Sequence, residues 1–400
     1  MMTRMRVIQV IFFEVKMNNC IYCRQDKEVA KFSLEHVIPQ FLGGSQAPDY
    51  LKTRDVCKDC NSNLGLFVDA AFEKDFMVFN QLNETAYSLF SPTLFSGLPF
   101  RCMGISDLSP PKMKDDEACE YWLGPLGEQV FWIRPHDEQK YWYSGGNPRT
   151  VKKIRSRAYF MFSERTLKAP QISWNAFKDA FCGKKVDKIM CTQVQGADPK
   201  SIGFTDATEL DKERIEYFHS YCSNGQELKN RVAMYLDFDV RFLAKLALGI
   251  AYVFFGKSAL LGGEAEELYK ALWMKPDDPK PKIKGAGAHN QSDHFLKEHC
   301  GIDYGTTISL IPANGFVALN LNINRKLNWV ISCADFKQLK QCQIDSLGLG
   351  KSFVLIKPLS KFVELKLEEL LAFNGGISNI EELNVISGQV NQHRDFFKNL

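Results

Sequence analysis

Three stretches near the N-terminus decide how this chain is read. They are Cys20-Ile21-Tyr22-Cys23, then Ser33-Leu34-Glu35-His36-Val37-Ile38-Pro39-Gln40-Phe41-Leu42-Gly43-Gly44, then Cys57-Lys58-Asp59-Cys60-Asn61-Ser62-Asn63-Leu64-Gly65. Two thiolates three residues apart on a tight turn can reach one ion, and two such knuckles complete a tetrahedral zinc site with no open position. Such a site staples structure and leaves no room for catalysis. The two knuckles are separated by 33 residues, longer than a simple zinc ribbon needs. The middle stretch fills that length with an acid, a histidine, a proline and a glycine pair.

Outward from these stretches, Leu64, Phe67, Val68, Ala71, Phe72 and Phe76 recur at helical spacing, and the pattern predicts a helix from about Asn61. A small ββα unit follows. Further on, strand-like segments are expected at Gln129–Arg134, Lys140–Tyr143, Ala158–Phe162, Thr307–Ile311, Gly315–Ile323, Trp329–Cys333 and Ser352–Ile356, and helices at Asp237–Gly256 and Glu264–Trp273. The fold class expected is α+β: an N-terminal ββα module with a structural zinc, then a larger mixed α/β region. The expected division is an N-terminal extension over 1–16, the module over 17–80, a mixed α+β region over 81–274, a Pro/Lys/Gly-rich linker over 275–290, and an α+β C-terminal region over 291–400.

Composition narrows the function classes. The chain has 400 residues, 45% of them hydrophobic and 24% charged, enough for a sizeable core. A formal net charge of +3 gives no global affinity for nucleic acid, so any basic surface is local. From Met17 to Gly65 six basic residues face six acidic ones. Arg149, Lys152, Lys153, Arg155 and Arg157 form a basic cluster that could meet phosphate or guard a strand edge. The longest apolar run, Leu246–Phe255, is ten residues, half of the roughly 20 a spanning helix needs. It reads as a buried helix, and no membrane partner is expected. The apolar run Val7–Phe13 lacks a cleavage site and reads as an added strand, or as an extension before a start at Met17. Four of the twelve cysteines form the CxxC pairs; the other eight are scattered and, without a secretion signal, are expected as reduced thiols in a cytoplasm. His289, His294, His299 and Cys300 lack the i, i+4 spacing of paired ligands and read as a polar surface stretch.

The order CxxC, Glu35-His36-x-x-Pro39, Gly43-Gly44, CxxC-Asn61 resembles the HNH endonucleases of ββα-metal fold, over about fifty residues. The resemblance implies that His36 is the general base that takes a proton from the attacking water. It implies that Glu35, in the place usually held by Asp, and Asn61 bind a catalytic divalent cation, Mg²⁺ or Mn²⁺. It also implies that Cys20, Cys23, Cys57 and Cys60 hold the structural zinc, and that DNA is the substrate, in a genome-defence or mobile-element setting. An imidazole titrates near neutral pH and suits the base role, and oxygen donors suit a hard cation. Two departures stand out. The family's central Asn, which orients the base, is replaced by Lys52, so a backbone carbonyl would have to do that work. Glu35 is one methylene longer than Asp.

For Asn61 the residue type alone also fits a helix N-cap; Asp69, eight residues on and about 80° around an ideal helix, could reinforce the metal site, and reads more readily as a structural or solvent-facing acid. The alternative to a nuclease is a non-catalytic zinc-dependent nucleic-acid-binding protein. A third possibility is an interaction protein whose zinc unit holds two domains together.

Overall fold

The fold is taken from a computed structural model, which describes residues 16–90, 98–136, 144–192, 198–225, 227–275, 277–288 and 294–400. The runs at Val7–Phe13 and Lys140–Tyr143, and His289, lie outside the described residues.

The chain opens with two short antiparallel hairpins. Strands β1 (Met17–Asn19) and β2 (Asp26–Glu28) flank the first cysteine pair, and β3 (Phe32–His36) and β4 (Lys52–Cys57) lead into the second. Helix α1 (Lys58–Leu64), with Cys57 as its N-cap, starts three residues before the expected onset, because the second knuckle itself turns into the helix. A π-helical turn over Gly65–Asp69 and a short α2 (Ala70–Glu73) continue it, and α3 (Phe76–Ser88) follows after Asp75 caps its first turn through the amide of Met77.

Next comes a six-stranded sheet in the order β10-β5-β6-β7-β8-β9. Its strands are β5 (Arg101–Ser106), β6 (Glu117–Leu123), β7 (Gln129–Pro135), β8 (Ser156–Met161), β9 (Val186–Met190) and β10 (Asn230–Arg231). The pairs are antiparallel except β8 with β9. One face buries Trp122, Trp132, Phe160, Phe177 and Phe181, and the other packs Phe131 and Tyr159 on Phe218. The expected basic cluster splits here. Arg155 pairs with Asp187 and Arg157 with the fully buried Asp211, so these two guanidiniums are occupied within the fold. Arg149 instead stacks over Phe67 of the N-terminal module, 4.3 Å from its ring centroid.

Two helices then cross back to the module: α4 (Leu236–Phe255) and α5 (Gly263–Trp273). Behind them lies a second, wholly antiparallel sheet, ordered β11-β14-β13-β12-β15-β16. It is built from β11 (Gly285–Ala286), β12 (Thr306–Ala313), β13 (Phe316–Ile323), β14 (Leu327–Asp335), β15 (Lys351–Ile356) and β16 (Lys361–Lys366). Within the stretch expected as a linker, Gly285–Ala286 thus forms an edge strand on β14. A short helix, α6 (His294–His299), ends on Cys300, which is buried at 1% exposure. The expected polar surface stretch is therefore anchored in the interior at that residue. Helix α7 (Glu381–Lys398) closes the chain, turning Leu383, Ile386 and Val390 inward.

The core decides how the site is placed. A single apolar cluster contains Tyr22, Val37, Leu42, Val56 and Phe72 of the module, Phe242, Leu246 and Leu268 of α4 and α5, and Leu321 and Trp329 of the second sheet. Phe72 stacks on Phe242 at 4.0 Å between centroids and meets Trp329 edge-on at 5.2 Å. The run Leu246–Phe255 is therefore a buried helix, as its length implied. No helix among the described residues is long and apolar enough to cross a membrane.

Candidate active site and cysteine metal centre

The two knuckles meet. The sulfur atoms of Cys20, Cys23, Cys57 and Cys60 all lie within 4.8 Å of one another. Arg24 takes a left-handed conformation, φ 57°, and its amide donates to the Cys20 carbonyl at 2.8 Å, closing the first knuckle. The Cys57 amide donates to Cys20 Sγ at 3.4 Å, which favours thiolate there, and Lys27 Nζ donates to Cys57 Sγ at 3.3 Å. A hydrogen bond from Cys60 pulls the Cys20 thiol down to about 4, and the same contact drives Cys60 upward. Four crowded sulfurs in a closed, largely buried cage, with Cys20 poised as a thiolate, are the donor set of a structural zinc, and these residues fit that ion.

Beyond the cage, β3 and β4 pair with a register shift between Ser33 and Glu35. The irregularity is held from α1: Asn61 Nδ2 donates to the Leu34 carbonyl at 2.9 Å and to Ser33 Oγ at 3.0 Å. Asn61 is therefore not the N-cap, a position that Cys57 takes. With its amide nitrogen so engaged, the oxygen Oδ1 is the atom left for a cation.

His36 pairs across the hairpin with Lys52, the residue in the place of the family's orienting Asn. Lys52 turns away, its ammonium on Asp49 at 2.8 Å. The imidazole is instead positioned by a backbone carbonyl, with His36 Nδ1 at 3.3 Å from Gly44 O. A carbonyl only accepts, so Nδ1 carries the proton and Nε2 is the free acceptor. The loop that presents this carbonyl needs its glycines. Gly43 has φ 99°, and a Cβ on Gly44 would lie 1.7 Å from the Ile38 carbonyl oxygen.

An open cleft of about 580 Å³ brings these groups together. Leu34, Glu35, His36, Asn61, Asp69, Glu73 and Lys357 are among its walls. Asp69, which the sequence left open between a reinforcing metal-site acid and a structural or solvent-facing one, faces the same cleft. The chain reaches it through a π-helical turn over Gly65–Asp69, wider than the ideal helix by which the sequence places Asp69 about 80° around from Asn61. Lys357 comes from the loop between β15 and β16 and had no signal in the sequence.

Glu35 is 4% exposed. Burial pushes its carboxyl up, against the pull of Lys245, and burial does the same to Asp69. Lys245 of α4 lies 2.9 Å from Glu35 Oε1 and 2.6 Å from Asp69 Oδ2. Burial alone would lower Lys245, but the two acids hold it above the usual lysine range. Three carboxylates, Glu35, Asp69 and Glu73, face two ammonium groups, Lys245 and Lys357. Oxygen donors with an excess of negative charge fit a hard divalent cation.

Residues 20–77 match the family model described as HNH endonuclease. This N-terminal segment, with its four-cysteine cage, is an HNH module. The mixed α and β region that follows lies outside the match. No curated protein and no solved structure matches the chain.

Proposed function

We propose that the chain is a metal-dependent endonuclease that hydrolyses DNA phosphodiester bonds in this cleft, with His36 as general base. The observation that supports the reading most is the imidazole held by Gly44 O through Nδ1, in a cleft shared with Glu35 and Asn61. Nε2 would take a proton from water, the oxygen would add to phosphorus, and the bond to the 3′ oxygen would break to leave a 5′ phosphate. General-base assistance of this kind is worth roughly 10²- to 10⁴-fold.

Glu35 and Asn61 would hold a Mg²⁺ or Mn²⁺ ion, whose chemistry when bound is to offset negative charge on the phosphate and the departing oxygen. Asn61 also grips the β3 irregularity, so that one residue keeps both the acid and the base aimed. Lys357 offers the cleft a positive charge for a neighbouring phosphate. Because residues 17–65 are charge-balanced, the region beyond residue 80 would supply DNA affinity and target choice. None of the twelve cysteines is in a disulfide, which suits a reducing cytoplasm.

The test is plasmid cleavage with added Mg²⁺ or Mn²⁺, native protein against His36→Ala, with zinc content measured on both. The reading expects cutting to fall by about 10²-fold or more with zinc retained. Equal cleavage by the two proteins, or none by the native one, would overturn it.

A further inference from the structure

We propose that Lys245, delivered by α4 from outside the matched segment, is a positioning residue of the cleft. It holds Glu35 and Asp69 side by side so that a divalent cation can bind among their remaining oxygens. This rests on the endonuclease reading and adds to it a residue that the HNH segment does not contain.

The geometry makes Lys245 a fixture. Its side chain is 3% exposed and its ammonium stands 5.9 Å from the ring centroid of Tyr22, whose backbone leads into the first cysteine pair. Phe242 to Ala251 is buried without interruption. Gly249, one turn on, lies flush on the module: a Cβ there would come within 2.8 Å of Val37 and 2.9 Å of Tyr22 Oη. The helix has no room to slide, so the charge stays where the backbone puts it.

A purely structural ion pair looks different in this same protein. Glu120 and Arg134, both buried, use every oxygen. Glu120 Oε1 accepts from Arg134 at 3.2 Å and from the Gly145 amide at 3.1 Å, and Oε2 from Arg134 and the Trp122 indole, each at 3.1 Å. At Lys245 one ammonium serves two acids. Asp69 Oδ1 is buried without a hydrogen bond, and Glu35 Oε1 has the ammonium beside it but no well-directed hydrogen bond. Buried carboxylate oxygens left short of donors are costly, and here both acids line the cleft that holds His36 and Asn61. Acceptors in excess of donors are what a site for a further cation requires.

The experiment measures Mn²⁺ binding, not cutting. Full-length zinc-loaded protein is titrated with Mn²⁺, and the free ion is followed by electron paramagnetic resonance, for the native chain, Lys245→Met and Lys245→Gln. Zinc content and thermal unfolding report on the fold. Loss of an outer group that orients a ligand costs about 10- to 100-fold in metal affinity, and that weakening is expected for Lys245→Met with zinc unchanged. Should Lys245→Met fail to fold, Lys245→Gln decides: it keeps hydrogen-bond donors but not the charge that holds both acids, and Mn²⁺ binding is expected to weaken there too. Mn²⁺ affinity equal to or tighter than native in the folded variant overturns the proposal. A native protein that binds no Mn²⁺ at all sinks the endonuclease reading and this inference with it.

Discussion

His36 Nδ1 lies 3.3 Å from the carbonyl oxygen of Gly44, a residue eight positions along the chain on the loop that leaves β3. In the proposed mechanism that contact takes the place of the asparagine side chain that orients the base in the family. It fixes the imidazole by main chain alone, so its integrity depends on the loop's backbone path.

Gly44→Ala should therefore behave as a catalytic lesion made without touching a polar side chain. The new Cβ would fall 1.7 Å from Ile38 O, so the loop must move and take its carbonyl with it. A stability loss of about 1–3 kcal/mol is expected, and cleavage should fall more steeply than stability. Thermal unfolding and plasmid cleavage on the same preparation separate the two effects.

Removing zinc should unfold the module. Metal binding in small zinc-folded peptides contributes about 10–16 kcal/mol, and Cys20, Cys57 and Cys60 are buried in the core shared with α4 and α5. The expected stoichiometry is one zinc per chain by elemental analysis. A chelator, or Cys57→Ser, should lower the unfolding temperature; an unchanged melt would rule out a structural metal.

The first knuckle is clamped from α5. Tyr269 Oη donates to the Ile21 carbonyl at 2.7 Å, and the Trp273 indole donates to that of Tyr22 at 3.1 Å. Tyr269→Phe removes the first of these from a buried setting and should cost about 1 kcal/mol. Faster zinc release to a colorimetric chelator is the measurement that would register it.

Asp239 makes stability depend on pH. Burial raises its carboxyl from 3.8 to about 7, although the Trp329 indole donates to Oδ2 at 2.9 Å. Between about pH 4 and pH 7 the folded state holds a proton that the unfolded state has lost, so stability falls as pH rises through that window. Each pH unit of that window removes at most about 1.4 kcal/mol. Asp239→Asn keeps an acceptor for Trp329 and should flatten the decline; melting temperatures at pH 5 and pH 8 for both proteins test it.

A fragment of residues 17–80 should bind zinc yet unfold without a cooperative transition. Its apolar face, Tyr22, Val37, Leu42, Leu64 and Phe72, is covered in the whole chain by Phe242, Leu246, Ala247 and Leu268. Calorimetry of the fragment beside the full chain would expose the difference, and a sharp two-state melt would contradict the shared core.

The cysteine knuckles and the Glu35-His36 pair were legible in the sequence because they are local patterns. Spacing of a few residues on turns and strands places such groups whatever else the chain does. The sequence likewise announced α4, α5 and the strands β7, β8 and β12 to β15, whose apolar periodicity is strong. Other features were decided by the tertiary structure: the carbonyl that holds His36, the entry of Asp69 into the cleft through a π-helical turn, and the lysine at position 245 that meets Glu35. The reason is physical. A backbone oxygen has no residue identity to read, a widened turn breaks the period that pattern reading relies on, and an ion pair between distant segments exists only after the core has brought their helices together.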